Sequence, residues 1–332
     1  MNTNQSSRTV NTNPINCLCM ISDDNYAIFT GIALTSLKHN KDASSFYKVY
    51  ILSDNICEEN KKRLLSLQDN SLIITIIEAS GFEDIKKDME IKGIPATPTA
   101  LYKFLIPSLL NDLDKVLYVD GDVLFYKDIS SLFDFDLNEY YAVVTPENLP
   151  SDEIPFSSKR IGINHSIYFN SGLMLMNLKM FREDNISDKL LNYRINGINY
   201  LMDQDAFNAV IGKNVSYFPT YYFTLCYELE KDYNYKKYYE KDRESIIQKT
   251  IIMHLAYKKP WKVKMPYFTE QYLYYHKLSP FRDIKLKPTP YFIQTIKKIN
   301  RKIYLNIYKK KIYQFIKDAK IYHMFKKNVD NK

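Results

Sequence analysis

The chain has 332 residues and a mass of 39.3 kDa, enough for one large α/β domain with an appendage or for two modest domains. Hydrophobic residues at 45% and charged residues at 25% are the balance of a globular chain, and with only eight glycines this excludes both wholesale disorder and a collagen-like repeat. The net charge of +8 is uneven: Lys285–Lys332 carries 14 Lys and Arg against two Asp, a net of +12, which leaves the first 284 residues at −4.

The longest uncharged stretch, Ile161–Leu178, contains Asn164, His165, Asn170, Ser171 and Asn177 and would lie poorly in hydrocarbon, so no transmembrane helix is expected. Residues 1–14 form a polar leader without an apolar signal core, which predicts a cytoplasmic protein or one on a cytoplasmic membrane face. The four cysteines (Cys17, Cys19, Cys57, Cys226) show no metal spacing, and buried reduced thiols are expected.

In chain order, Ile15–Ile21 reads as a strand ending at Ser22-Asp23-Asp24. Ile28, Phe29, Ile32, Ala33 and Leu37 then recur at helical spacing. Val49–Leu52 is a second strand, Glu58–Leu67 a charged helix, and Leu72–Ile77 a β-branched strand buried on both faces. A Gly/Pro loop leads to a helix from about Thr99, and Val116–Val119 is a fourth strand ending at Asp120. Tyr140–Asn177 reads as more sheet, with a loop near Pro146–Asn164. This alternation predicts an α/β fold, an open and mostly parallel sheet with helices on both faces. Ligands of such sheets bind beyond the carboxyl ends of strands, so Asp23-Asp24 and Asp120-Gly121-Asp122 should face one ligand. Past Pro280 the pattern changes: Phe292, Ile296, Ile299, Ile303 and Ile307 make an amphipathic run with a basic opposite face.

Asp120 and Asp122 are two apart on an extended segment, so both carboxylates point one way and can meet a hard divalent cation. Gly121 between them allows close approach. The rival reading, a phosphatase-like Asp-x-Asp-Gly-Thr nucleophile motif, fails because Asp120 is followed by Gly-Asp-Val, with no Asp-Gly-Thr.

Five segments in order, SDDNYA (Ser22–Ala27), KVLYVDGDVLFYKDISSLFDFDL (Lys115–Leu137), YFNSGLMLMNLKMFRED (Tyr168–Asp184), MDQDAFNAV (Met202–Val210) and IIMHLAYKKPWK (Ile251–Lys262), resemble the family 8 glycosyltransferases. The resemblance spans about residues 15–280 and implies a single nucleotide-diphospho-sugar transferase (GT-A) domain. Residues 281–332 would then be a basic helical tail. The implied nucleotide-binding residues are Ile21, Ser22, Asp23, Asn25, Tyr26, Lys103, Asp120, Gly121, Asp122, His254, Tyr257 and Lys259. Asp23 suits the uracil imide and Tyr26 stacking on the base; Asp23 equally suits a helix cap. Lys103 stands where many relatives have Arg. The implied ligands for Mn²⁺ or Mg²⁺ are Asp120, Asp122 and His254. Relatives often carry Gly three residues after this His, where Tyr257 stands here, which leaves the register of Lys258 against Lys259 open. Trp261 reads either as part of this segment or as a buried anchor.

Asn170, Ser171, Asp203 and Gln204 match donor-sugar positions, and Asp203, Gln204 and Lys259 are the implied catalytic residues. An amide is a poor nucleophile, which favours front-face substitution over double displacement through Gln204; Asp205 is the neighbouring carboxylate. The implied activity is retaining transfer of glucose or galactose from UDP-glucose or UDP-galactose to a lipid-linked glycan. Lipopolysaccharide or lipooligosaccharide core is the leading acceptor, ahead of capsule, teichoic acid or an adhesin-protein glycan. A nucleotide-sugar-binding protein that no longer turns over is the alternative. The basic tail with Tyr304, Tyr308, Tyr313 and Tyr322 suits an anionic membrane surface, placing the protein at the inner face as a peripheral one. Nucleic acid and packing on the domain are the other readings of the tail.

Overall fold

The computed structural model describes residues 14–79, 98–147, 154–164, 167–197, 201–219, 222–226, 243–256, 259–264 and 268–290. The first half holds β1 (Ile15–Asp23), α1 (Ala27–Asn40), β2 (Phe46–Asp54), α2 (Glu58–Leu65), β3 (Leu72–Glu78), α3 (Pro98–Leu109), β4 (Lys115–Val119), β5 (Val123–Phe125) and β6 (Ala142–Pro146). There follow α4 (Ile154–Ile161), β7 (Phe169–Asn177), α5 (Leu178–Glu183), α6 (Ile186–Asn196), α7 (Met202–Ile211), β8 (Val215–Tyr217) and β9 (Phe223–Leu225). Last come α8 (Arg243–Lys249), β10 (Ile252–His254), β11 (Val263–Lys264), α9 (Phe268–Leu278) and β12 (Thr289–Pro290).

These residues fall into two compact units, one drawn from 1–258 and 271–285, the other from 259–270 and 286–332. The first is built on a seven-stranded sheet of order β3-β2-β1-β4-β7-β6-β8. Only β7 runs against its neighbours, β4 and β6; the remaining pairs are parallel. The mixed α/β architecture predicted from strand–helix alternation is therefore present.

Period-two alternation along the strands explains the layers. Leu18 and Met20 of β1, Val49 and Ile51 of β2, Leu117 and Val119 of β4, and Leu173 and Leu175 of β7 share one apolar cluster with Ala33, Leu34 and Leu37 of α1. The intervening residues Cys19, Ile21, Tyr50, Leu52, Val116, Tyr118, Met174 and Met176 join a second cluster with α3, α6 and α7. Strands covered on both faces need continuous apolar runs, and these strands have them.

The chain goes from β1 outward through β2 to β3, then crosses back so that β4 lands on the other side of β1. The carboxyl ends of β1 and β4 thus form a topological switch point, where a crevice opens. A second sheet, β5-β10-β9, shares the first cluster through Val123, Phe125, Phe223, Leu225 and Ile252. In the other unit, the N–H groups of Lys262 and Val263 both donate to the Lys259 carbonyl at 2.9 Å, and β11 pairs in parallel with β12.

Three expectations need amendment or fall elsewhere. The Pro146–Asn164 loop contains helix α4. Cys19 and Cys226 are buried thiols and Cys17 is half-buried, but Cys57 is exposed, since it sits outside the sheet at the start of α2. The leader (1–13), Tyr257, Lys258 and residues 291–332 of the tail lie outside the described residues; residues 281–290 hold turns and β12. Among the described residues, no helix is long and apolar enough to cross a membrane.

Candidate active site

Asp120-Gly121-Asp122 is the link between the two sheets of the first unit: the chain leaves β4 at Val119 and enters β5 at Val123. Because β5 pairs antiparallel with β10, His254 stands opposite Val123, and the Leu255 N–H donates to the Asp122 carbonyl at 2.8 Å. Backbone pairing therefore delivers an imidazole to two carboxylates about 130 residues upstream. One ligand atom from each of Asp120, Asp122 and His254 lies within 4.8 Å of the others.

His254 Nε2 is 3.4 Å from Asp122 Oδ1 and 3.7 Å from Asp120 Oδ2. Those separations are too long for charge-assisted hydrogen bonds, which run at about 2.7–2.9 Å. They are close to the ~3 Å spacing of neighbouring ligands on a cation with bonds of roughly 2.1 Å. Two carboxylates and a neutral imidazole are a donor set that fits Mn²⁺ or Mg²⁺. Gly172 keeps the space open. A Cβ there would lie 2.8 Å from each of Asn170 Oδ1, Asp120 Oδ2 and His254 Cε1.

Behind the triad, Lys103 of α3 is 6% exposed. Its Nζ lies 2.6 Å from Asp203 Oδ2 and 3.0 Å from Asp120 Oδ1. Burial alone would push the ammonium down, but the two carboxylates outweigh it and hold Lys103 above the ordinary lysine range. Asp120 Oδ1 also accepts from the Tyr118 hydroxyl at 2.6 Å; burial, reinforced by Asp120, raises that phenol well above its usual value. Asp203 Oδ2 accepts from Ser171 Oγ at 3.0 Å. Lys103 therefore ties a candidate metal ligand to a candidate sugar contact. The ammonium does this with separate protons, where a planar guanidinium would offer a fork to one partner.

Asn170, Ser171 and Gln204 meet beside this pair. Gln204 Oε1 accepts from the Ser171 N–H at 3.2 Å, and its Nε2 donates to Glu147 Oε2 at 3.0 Å. The same Glu147 oxygen accepts from Asn170 Nδ2 at 2.6 Å. Asp205 points elsewhere: at 1% exposed, it accepts from the Tyr168 hydroxyl (2.7 Å) and the Leu201 N–H (2.8 Å), closing the start of α7. Asn208 bonds both the N–H and the carbonyl of Phe169 at 2.8 and 2.9 Å, as a neighbouring strand would, which fixes α7 against β7.

The first segment also reaches this place. A Cβ at Gly121 would be 3.0 Å from Thr30 Oγ1 and 3.9 Å from both the Ile21 carbonyl and Tyr26 Cδ1. Ile21 and Ser22 are buried, and Tyr26 is 36% exposed. Asp23 Oδ1 accepts from the Tyr26 N–H at 2.7 Å, which closes the turn before α1, and the helix itself starts at Tyr26 without a side-chain cap. Asp24 turns away to the Cys57 N–H and Asn60 Nδ2, both at 2.9 Å, and these bonds lower its pKa. Asn25 is exposed. Lys259 and the buried Trp261 belong to the second unit.

Sequence reasoning missed Glu147 and Gly172. Glu147 immediately follows β6, so the rule that singled out Asp23 and Asp120 at strand ends would have found it. Gly172 lies inside the Tyr168–Asp184 motif, but only the fold reveals what its missing side chain makes room for.

The family described as Glycosyl transferase family 8 matches residues 17–264 of this chain. General stress protein A of Bacillus subtilis is 28% identical over 285 residues, 78% of this chain and 91% of that protein. The lipopolysaccharide 1,2-glucosyltransferase of Escherichia coli K12 is 27% identical over 265 residues, 76% of this chain and 75% of its own. The galactosyltransferase LgtC, solved in complex with donor and acceptor sugar analogs, superposes with a TM-score of 0.61 at 19% identity, over 79% of this chain and 96% of LgtC. The family match over residues 17–264, most of the chain, makes it a member of glycosyl transferase family 8.

Proposed function

We propose that the protein is a retaining α-hexosyltransferase. It would move galactose or glucose from a UDP-sugar, with Mn²⁺ or Mg²⁺, to a glycan acceptor of the lipopolysaccharide or lipooligosaccharide core type. The observation that carries this reading is one largely buried array. Asp120, Asp122 and His254 are joined through Lys103 to Asp203 and Ser171, with Gln204 and Asn170 beside them. The names of the lipopolysaccharide glucosyltransferase and of the donor- and acceptor-bound LgtC support the substrate classes.

Asp120, Asp122 and His254 would hold the cation, which when bound neutralises charge developing on the departing diphosphate. Ile21, Ser22, Asp23, Asn25 and Tyr26 would seat the uridine. Asp203 and Asn170 would accept and donate to sugar hydroxyls, with Ser171 setting the Asp203 rotamer. Lys103, already paired with two carboxylates, would hold them in place and supply positive charge on the donor side. For Tyr257 and Lys259, contact with the diphosphate rests on sequence resemblance alone.

In the reaction the bond from the anomeric carbon to the diphosphate oxygen breaks. The acceptor oxygen bonds on the same face, and its proton passes to the departing oxygen. Positive charge rises on the sugar ring between these events. The Gln204 carbonyl dipole would stabilise that charge.

The test is UDP release across a panel of nucleotide sugars with Mn²⁺, for the wild type, Asp122→Ala and EDTA-treated protein. Selective turnover of one UDP-hexose is expected, falling at least a hundredfold in both controls. Metal-dependent binding without turnover for any sugar and acceptor would instead identify a nucleotide-sugar sensor.

A further inference from the structure

Glu147 is the one carboxylate of this array with no role in the mechanism above. It is 5% exposed, and its backbone N–H is fixed to the Tyr168 carbonyl at 2.9 Å. Burying an ionised carboxylate is costly unless good donors surround it. Here two side-chain amides, Asn170 Nδ2 at 2.6 Å and Gln204 Nε2 at 3.0 Å, converge on the same oxygen, Oε2. Both belong to residues placed beside the donor sugar.

The contact decides two properties of Gln204. An amide can sit either way round, and only one orientation presents its oxygen. With Nε2 donating to a carboxylate and Oε1 accepting from the Ser171 N–H at 3.2 Å, the orientation is locked at both ends. A donor bonded to an anion also pushes electron density onto its conjugated oxygen, because hydrogen bonds in a low-dielectric interior polarise one another. The Gln204 carbonyl then carries more negative charge than a free amide would. A second carbonyl lone pair remains for a positive centre.

We infer that Glu147 is a positioning residue for glycosyl transfer: it sets the orientation of the Gln204 amide and lends it charge from one hydrogen bond behind. This rests on the reading of Gln204 given above. The arrangement keeps a carboxylate from standing at the anomeric carbon, where it would act as a nucleophile, while making its charge felt there. The locked amide thereby supplies electrostatic stabilisation without a covalent adduct.

The experiment is steady-state transfer with the UDP-sugar that the wild type uses, for E147Q, E147D, Q204E and the exchange E147Q/Q204E. E147Q keeps size and removes charge, so kcat should fall roughly 10- to 100-fold while donor KM moves less than about threefold. E147D keeps charge and should lose less than E147Q. The exchange restores one carboxylate and one amide in reversed order, so it should be faster than the product of the two single effects allows. A wild-type kcat in E147Q overturns the inference, as does an E147D slower than E147Q, or strict additivity in the exchange. A rise in donor KM with kcat unchanged also overturns it, since that would mark simple binding. No turnover by the wild type with any UDP-sugar would instead sink the reading of the whole site, which separates the two failures.

Discussion

At the scale of single residues, the candidate site depends on one missing side chain. Three functional atoms crowd within 2.8 Å of where a Cβ on Gly172 would stand: Asn170 Oδ1, Asp120 Oδ2 and His254 Cε1. None of the three is backbone, so Gly172→Ala would be accommodated by pushing side chains off their positions, at a cost of about 1–3 kcal/mol. The expected result is a folded protein with weakened Mn²⁺ affinity in calorimetric titration and at least tenfold slower UDP release. Unchanged affinity and rate would mean that the three groups do not act together. Asp120, Asp122 and His254 were legible in the sequence because strand ends and quoted motifs mark them. Asp205 was not resolvable, since adjacent helix residues face about 100° apart, and only the bonds to Tyr168 and Leu201 assign it to structure. The family resemblance marks Lys103 only as a nucleotide-binding residue. Its pairing with Asp120 and Asp203 depends on α3 lying across the sheet, which no local pattern encodes.

At the scale of elements, α1 is buried along most of its length, with Ala27, Thr30–Leu37 all enclosed. Its own sequence therefore shows little amphipathic contrast, and the predicted apolar stripe described only part of what it buries. The closest approach is at Gly31, where a Cβ would fall 2.3 Å from Cε2 of Phe281, a side chain with no exposed surface. An aromatic ring so enclosed cannot swing aside. Gly31→Ala should lower unfolding stability by about 1–3 kcal/mol in urea titration, and adding Phe281→Leu should recover part of the loss; a fully additive double variant would show that the two do not share the space. The central strands were legible because burial on both faces demands unbroken apolar runs. Helix α4 was not, although its sequence offered Pro155 near the start and Gly162 just past the end, with φ +76°. That is the usual asymmetry of helix termini. The antiparallel insertion of β7 was equally hidden, because direction leaves no mark on a fully buried run.

At the scale of the whole molecule, charge is the property that separates the parts. Net charge is −4 over the first 284 residues and +12 over Lys285–Lys332. A site that gathers Asp120, Asp122, Asp203 and Glu147 needs cations before it could accept a diphosphate, and Lys103 supplies one from within. The basic segment lies far along the chain from these residues, and its tyrosines among lysines are the composition of a surface-seeking segment. A transferase that modifies a lipid-linked glycan gains from residence at the membrane, because its acceptor is confined there. The full chain is expected to co-sediment with vesicles containing an anionic lipid at low salt. Release should follow at about 0.5 M salt, where the screening length falls below ~5 Å. A chain ending at Pro290 should stay in the supernatant and still release UDP at the wild-type rate with a soluble acceptor. Equal sedimentation of the shortened chain would move the membrane contact to the catalytic unit. Loss of its turnover would show that the tail completes the enzyme rather than locating it.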